Sequence, residues 1–429
     1  MNCYINYDDA LAQIKSAGLI PDEPLDLARS GGRSRRCMVN GGDNEKRGWY
    51  ILHEWVSRHG ERFLTGSYGI YQGDDPGTLK IELTKKCEAC GHEMPLREKK
   101  CPRCSATAFK KRELDPEELK AIKARQAEDK KRAEAERESE ITRAAQWASA
   151  VWRASIAAKP EDHDYIGRKH LSGTHGARIF ASTEGLQLVG AVKEDFEHLA
   201  GFIGALVIPM CDENGSVFGL QFILSRTIHG DRIRRTERDK EYWPQGLSKD
   251  AHYFMIGAPG AVILQAEGFA TAASLHEASG HAVAVAFDAG NMPKVAKILR
   301  KQYRRAALLC CADDDWLQKC AECKGLAPVS EELCPHCGKP HRKGNAGVSR
   351  AAEAAMLADG AWVKPVFAAA RPVDRKGPTD FNDLAGLEGL QVVRAQIESK
   401  FTEMGVSAPA PASSRSAGAF SQGLGVAAR

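Results

Sequence analysis

The chain has 429 residues, 43% hydrophobic and 27% charged, with a formal net charge of +4, which reads as soluble and globular and, at this length, as two or three domains. So small a net charge excludes a general polycation, and any contact with nucleic acid must come from local patches. No apolar run approaches the roughly 18 residues of a membrane helix, and the start MNCYINYDDALAQIK lacks the basic and apolar regions of a secretory signal, so the expectation is a cytoplasmic protein with no membrane partner.

Residues 1–83 combine a helical pattern, DDALAQIKSAGL, with the alternating stretches WYILHEW and RFLTGSYGIY, predicting a small α+β N-terminal module. Residues 84–108 hold two Cys-x-x-Cys pairs, and 109–143 are dominated by Lys, Glu, Arg and Ala, the composition of an exposed, charged helical linker. From 144 to 256 the pattern is globular again, with a helix through AAQWASAVWRASIAA and strands GALVIPMCD and VFGLQFIL about a turn at Asp212-Glu213-Asn214-Gly215. Residues 257–405 run strand AVILQA, helix TAASLHEAS, strand AVAVAF, helix PKVAKILRKQY, strand AALLCCA, the βαβαβ rhythm of a parallel sheet. The remainder, 406–429, is a low-complexity tail and is expected to be disordered.

Eight of the thirteen cysteines fall into four Cys-x-x-Cys pairs, and a reducing cytoplasm favours metal binding over disulfides. Cys87, Cys90, Cys101 and Cys104 form one quartet; Cys320, Cys323, Cys334 and Cys337, within residues 316–344, form the second. Four thiolates close a tetrahedral Zn²⁺ sphere and leave no place for water, so both predict structural zinc ribbons. Each is too short to bury a core, and metal binding would supply its folding free energy, on the order of 10 kcal/mol. His336 and His341 are alternative ligands at the second ribbon, while Lys85, Lys86, Lys99, Lys100 and Arg103 give the first a basic surface suited to nucleic acid. Cys3, Cys37 and Cys211 have no neighbour in such a pair, and Cys310 and Cys311 sit in the apolar run RAALLCCA, where small buried hydrophobes are expected.

Ligands of open parallel sheets gather outside the carboxyl ends of the strands. Here those ends are acidic: Glu267 after AVILQA, Asp288 after AVAVAF, and Asp313, Asp314 and Asp315 after AALLCCA. Crowded carboxylates suit a hard cation such as Mg²⁺, and an extended Asp313-Asp314-Asp315 aims its first and third side chains the same way. The plainer alternative is that acids at such positions cap helix N-termini.

The stretches AVILQAEGFATAASL, LLCCADDD, NAGVSRAAEAA and TDFNDL together resemble the Toprim domain of bacterial, phage and plasmid primases, over about residues 257–385. The resemblance implies a multidomain α/β chain: a Toprim-type parallel α/β sheet, a preceding basic α+β domain at 144–256, and two small zinc ribbons. It maps Glu267, Asp313 and Asp315 onto the catalytic acids that hold Mg²⁺ or Mn²⁺, and Asp380 and Asp383 onto a downstream acidic motif of the same cation site. Two departures stand out. Thr271 occupies a position where replicative primases often carry another acid, and about thirty residues are inserted between Asp315 and Asn345, where relatives run almost directly into the glycine-containing turn.

The segment RTIHGDRIRRTERDKEYWPQGLSKD interleaves cations with Tyr242 and Trp243, a composition suited either to single-stranded nucleic acid or to a solvated hairpin whose acids offset half the charge. By the resemblance, Arg168, Lys169, Arg234, Arg235 and Lys249, with Trp243 as a stacking ring, become candidate contacts in a cleft holding template and nucleotides. The function implied is a DNA primase, a nucleotidyltransferase making short RNA primers on single-stranded DNA from nucleoside triphosphates. A Toprim-type nuclease, or a non-catalytic DNA-binding accessory protein of replication or recombination, is the alternative. No Gly-x-x-x-x-Gly-Lys-Ser/Thr loop occurs, so a helicase partner would be a separate protein.

Overall fold

The fold comes from a computed structural model that describes residues 4–27, 33–40, 46–56, 60–71, 76–94, 96, 98–111, 116–320, 322–340 and 344–406. Cys3, His341 and, of the expected tail, residues 407–429 lie outside the described residues. The chain divides into two compact units, residues 1–140 and 141–429.

In the first unit, α1 (Tyr7–Ser16) precedes an antiparallel sheet of β1 (Leu19–Ile20), β2 (Arg35–Val39), β3 (Gly48–Val56), β4 (Arg62–Ile70) and β5 (Leu79–Lys80), ordered as in the chain. Tyr7, Ala10 and Ile14, three and four residues apart on one face of α1, pack with Tyr50, Leu52, Leu64 and Tyr68. The buried Asn6 side chain donates to Leu64 O and accepts from Leu64 N, both at 2.8 Å, pinning the helix start to β4. A three-stranded ribbon follows, with β6 (Lys85–Cys87) between β7 (Glu93–Met94) and β8 (Phe109–Lys111).

Next comes a single helix, α2 (Pro116–Ala154). The stretch expected to be an exposed linker is helical but not exposed throughout: Ile122 packs with Trp55 and Phe63, and Asp129, 1% exposed, meets His53 Nδ1 at 2.9 Å. These residues are two turns apart on one face, and a composition dominated by charge hides so sparse a buried stripe. Nor does the helix break near 143. Its last turns bury Trp147, Ala148 and Val151 in the second unit.

The second unit contains two five-stranded sheets. The first is antiparallel and assembles β9 (Ile156–Ala157), β10 (Arg178–Ile179), β11 (Leu206–Cys211), β12 (Val217–Ile223) and β13 (Lys240–Trp243), with α3 (Asp164–Arg168), α4 (Lys193–Ala200) and α5 (Gly230–Thr236) between strands. One of its cores joins Trp147, Phe180, Phe202, Phe222 and Trp243.

The second sheet has the order β14-β16-β15-β17-β20, formed by β14 (Phe254–Ile256), β15 (Val262–Ala266), β16 (Ala282–Val285), β17 (Ala307–Cys311) and β20 (Ala361–Val363). Strands β15, β16, β17 and β20 are parallel, and β14 pairs antiparallel with β16. Thus β14, inside the span 144–256, belongs to this sheet's edge. Its helices are α6 (Phe269–Ser279), α7 (Met292–Gln302), α8 (Ala346–Leu357), α9 (Phe381–Glu388) and α10 (Leu390–Glu403), while the insertion forms a hairpin of β18 (Leu317–Lys319) and β19 (Leu326–Pro328).

Both faces of β15, β16 and β17 are covered, which is why they read as unbroken apolar runs, while β20 at the edge is only partly buried. Leu264, Ala266 and Leu309 pack toward Phe269, Leu275, Phe381, Ile397 and Phe401; Ile263, Leu308 and Cys310 pack toward Val295, Leu299, Ala351 and Ala354. Cys310 and Cys311 are buried, as the apolar run implied. Leu206, Ile208 and Ile223 of the antiparallel sheet join the first of these cores. No described helix is long and apolar enough to cross a membrane.

Candidate active site

Strands β15 and β17 are parallel neighbours, with Ala266 opposite Cys311. Glu267 and the run Asp313-Asp314-Asp315 therefore leave the sheet side by side at its carboxyl edge. The run divides as an extended chain requires. Asp314 is 1% exposed and accepts from Arg371 Nη2 at 2.7 Å, Asn345 Nδ2 at 2.7 Å and Lys364 Nζ at 3.2 Å. Burial would raise its carboxyl, but these donors hold it below the usual range.

Asp313 and Asp315 instead share a field with Glu267 and Asp380. Burial, with like charge from Asp380, Glu267 and Asp315, pushes Asp313 up to about 8. Burial, then Asp315 and Asp288, lifts Glu267 to about 7. Asp315 and Asp380 are raised too, by burial first. Asp313 Oδ1 is buried and has no hydrogen-bond partner.

A buried, unpartnered carboxylate oxygen amid like charges is what a hard cation relieves, so these residues fit Mg²⁺ or Mn²⁺. The carboxylates do not form a closed cage: among the described residues, only the two cysteine quartets bring three or more ligand atoms within 4.8 Å of one another. Such openness suits Mg²⁺, which takes one or two carboxylates and completes its octahedron with water and phosphate.

Two of the downstream acids also cap a helix. Asp380 accepts from Asp383 N at 2.8 Å, and Asp383 accepts from Thr379 N at 2.9 Å, a reciprocal cap on α9. Asp383 is thus engaged with main chain, while Asp380 joins the cap to the acidic group. Asp288 accepts from Asn291 N at 2.9 Å and lies 2.5 Å from Lys249 Nζ. Thr271 is buried within α6.

The antiparallel sheet supplies the opposing charge. Lys240 lowers the carboxyls of Glu267, Asp313 and Asp380, and Lys169 that of Asp380. On β13, Lys240 and Tyr242 share one face by alternation; Tyr242 Oη donates to Phe287 O at 2.7 Å, and Lys249 Nζ sits 4.5 Å from its ring centroid. Tyr165 Oη is buried without a partner, with Lys240 Nζ 6.0 Å from that ring. Lys376 acts on Asp315. Tyr165 and Lys376 carry no signal in the sequence, and Lys240, one cation of the basic segment, is not among the candidate contacts; its alternation with Tyr242 is the available signal.

Trp243 requires a correction. It is 3% exposed and stacks on Trp147, with ring centroids 6.2 Å apart, so it is a core residue and presents no free face to a base. Its neighbour Tyr242 points the other way because side chains alternate along a strand. Arg168 is half-buried, its Nε donating to Asp164 at 2.9 Å. Arg234 and Arg235 are exposed on α5, with Arg234 paired to Asp231. Neither is joined to the acidic group by a hydrogen bond or ion pair among the described residues. Lys169 and Lys249 are brought to it.

In the cysteine quartets, Sγ atoms lie 3.5 Å apart for Cys87/Cys104 and Cys90/Cys101, 3.9 Å for Cys320/Cys337 and 3.6 Å for Cys323/Cys334. A tetrahedral Zn²⁺ with bonds of about 2.3 Å separates its sulfurs by about 3.8 Å, whereas a disulfide needs about 2.05 Å. Both quartets fit structural Zn²⁺. Knuckle turns bond Gly91 N to Cys87 O, Ser105 N to Cys101 O, Lys324 N to Cys320 O and Gly338 N to Cys334 O. His336 Nε2 is engaged with Leu326 O at 2.6 Å.

The sequence is similar to two Escherichia coli proteins named DNA primase TraC: 29% identical over 205 residues, spanning 47% of this chain and 12% of the relative, and 27% identical over 235 residues, spanning 50% and 18%. The chain resembles a plasmid-type DNA primase. It covers less than a fifth of the length of either relative. Among solved structures, it is similar to a DnaG primase catalytic domain bound to single-stranded DNA, at 14% identity and a TM-score of 0.37, over 62% of this chain and 80% of that one. It is also similar to the zinc-binding and RNA polymerase domains of the Aquifex aeolicus primase, at 14% identity and a TM-score of 0.34, over 84% and 80%. No family model matches the chain.

Proposed function

We propose that this chain is a DNA primase, making short RNA primers on single-stranded DNA from nucleoside triphosphates. The observation that carries the reading is the grouping of Glu267, Asp313 and Asp315 beyond two adjacent strand ends with Asp380 at the start of α9, the buried Asp313 Oδ1 being unpartnered. Glu267, Asp313 and Asp315 would hold Mg²⁺ or Mn²⁺, with Asp380 and, through the cap, Asp383 behind them. Bound there, the cation would neutralise charge on the attacking and leaving oxygens of phosphoryl transfer.

The chain's own part is positioning and charge. Lys240, Lys169 and Lys249 face the acids and are suited to a triphosphate, whose α-phosphorus is attacked by the primer 3′-hydroxyl while pyrophosphate leaves. Lys240 also opposes protonation of Glu267 and Asp313, offsetting part of the rise that burial and like charge impose, and a bound cation would complete their ionisation. Arg168 would support this wall through Asp164, and the exposed Arg234 and Arg235 would meet template phosphates. We assign the parallel sheet within residues 257–405 to the Toprim type and the ribbon at 84–108 to template engagement.

The test is synthesis on mixed-sequence single-stranded DNA with labelled nucleotides and Mg²⁺, comparing the full chain with Asp313→Ala/Asp315→Ala at equal zinc content. Short products from the unaltered chain alone support the primase. Shortening of the DNA would instead indicate a nuclease, and DNA binding without either reaction an accessory protein.

A further inference from the structure

The inserted ribbon and the acid-bearing loop meet at one side chain. Asp314 accepts from Arg371, Lys364 and Asn345, and Asn345 closes the far end of the insertion: it caps α8 through Val348 N at 3.1 Å and accepts from Asp315 N at 3.2 Å. At the near end, Trp316 N donates to Asp314 O at 2.7 Å, and Trp316 O accepts from Val329 N at 2.8 Å, tying the ribbon's hairpin to the loop. The Arg371 guanidinium covers Trp316, 4.7 Å from its ring centroid. Asp314 N donates to Thr379 O at 2.8 Å, next to the Asp380 cap.

We propose that Asp314, through Arg371, Lys364 and Asn345, is a positioning residue that locks both ends of the inserted zinc ribbon to the acid-bearing loop and so sets Asp313 and Asp315 for their cation. Because Asp314 lies between them and is anchored through both its side chain and its main chain, its anchorage fixes the backbone that carries both. A carboxylate nearly removed from solvent, with two cations and an amide on it, holds one orientation; losing it leaves Arg371 and Lys364 without their shared anion. The zinc ribbon is then a brace for the cation site, with a rigid metal-closed fold at the end of the lever. The inference rests on the assignment of Glu267, Asp313 and Asp315 as cation ligands.

The experiment is Mn²⁺ binding to the full, zinc-loaded chain, followed by water-proton relaxation, for the unaltered protein, Asp314→Ala, Asp314→Asn, Arg371→Gln and the Asp314→Asn/Arg371→Gln pair, with zinc content, single-stranded DNA binding and primer synthesis measured on each. Outer partners of a metal site typically contribute 10- to 100-fold to affinity, so Asp314→Ala is expected to weaken Mn²⁺ binding at least tenfold with two zinc ions per chain and DNA binding retained. Asp314→Asn, which keeps one acceptor, should lose less, and the pair should be no worse than its worse single variant. Should Asp314→Ala fail to fold, Asp314→Asn and Arg371→Gln carry the same comparison. Unchanged Mn²⁺ affinity in the Asp314 variants, against its loss in Asp313→Asn, or additive losses in the pair, overturns the proposal. Mn²⁺ binding that depends on Asp314 without primer synthesis from the unaltered chain would leave the brace standing and remove the primase; no Mn²⁺ binding by the unaltered chain would remove both.

Discussion

Gly347, at the start of α8, lies against the main chain of Asp313: a Cβ there would fall 2.2 Å from the Asp313 carbonyl oxygen. The helix start and the acid-bearing strand end thus approach each other so closely that only a missing side chain permits it. Gly347→Ala must push Asp313 away or unpack α8, at about 1–3 kcal/mol. Urea unfolding should show that loss, and primer synthesis should fall more than DNA binding does.

Lys240 is the cation shared by Glu267, Asp313 and Asp380. Its replacement by alanine should reduce primer synthesis on the order of 100-fold. It should also move the rising limb of the pH–rate profile upward, because the acids lose the charge that favours their ionised form. A profile of reduced height at an unchanged pH would limit Lys240 to substrate contact.

Without a cation, the acidic group should make stability fall as pH rises. Folded values of about 8 for Asp313 and about 7 for Glu267 exceed their ordinary 3.8 and 4.5, so across that interval the folded chain retains protons the unfolded chain has released. The stabilisation is complete below the ordinary values and lost as pH passes the folded ones. A divalent cation must displace those protons, so the rise in Tm on adding Mg²⁺ should be larger at pH 8 than at pH 6. Equal rises would place the cation elsewhere.

Trp243→Ala should act on stability rather than on DNA. Truncating a buried tryptophan costs about 3–5 kcal/mol, and its partner Trp147 would lose the stacked face. Fluorescence anisotropy with single-stranded DNA should change less than twofold in the folded variant. A weakened complex at unaltered stability would return Trp243 to the binding surface.

Each quartet should hold one Zn²⁺. Cys334→Ser is expected to lower the metal content from two zinc ions per chain to one, leaving the quartet of Cys87, Cys90, Cys101 and Cys104 loaded, since metal binding supplies the folding free energy of each module separately. Elemental analysis after dialysis reads this directly.

Local pattern determined much of this protein. Cys-x-x-Cys spacing specified the two quartets because ligand geometry at a knuckle is set within a few residues. Doubly buried strands announced the parallel sheet, and its acidic strand ends marked Glu267, Asp288 and the run Asp313–Asp315 because strand ends in such sheets converge on one edge; the choice of Glu267, Asp313 and Asp315 among them came from the resemblance. What a neighbour in space contributes was not legible. Tertiary structure decided that Asp314 turns into an ion cluster with Arg371 and Lys364, that Asp383 serves the cap of α9, that Ile122 and Asp129 bury a face of a helix otherwise clothed in charge, and that the charge of Lys240 acts on the acids while Trp243, three residues on, enters the core. Each depends on which face of an element meets another element, and one-dimensional spacing carries the period of a face but not its partner.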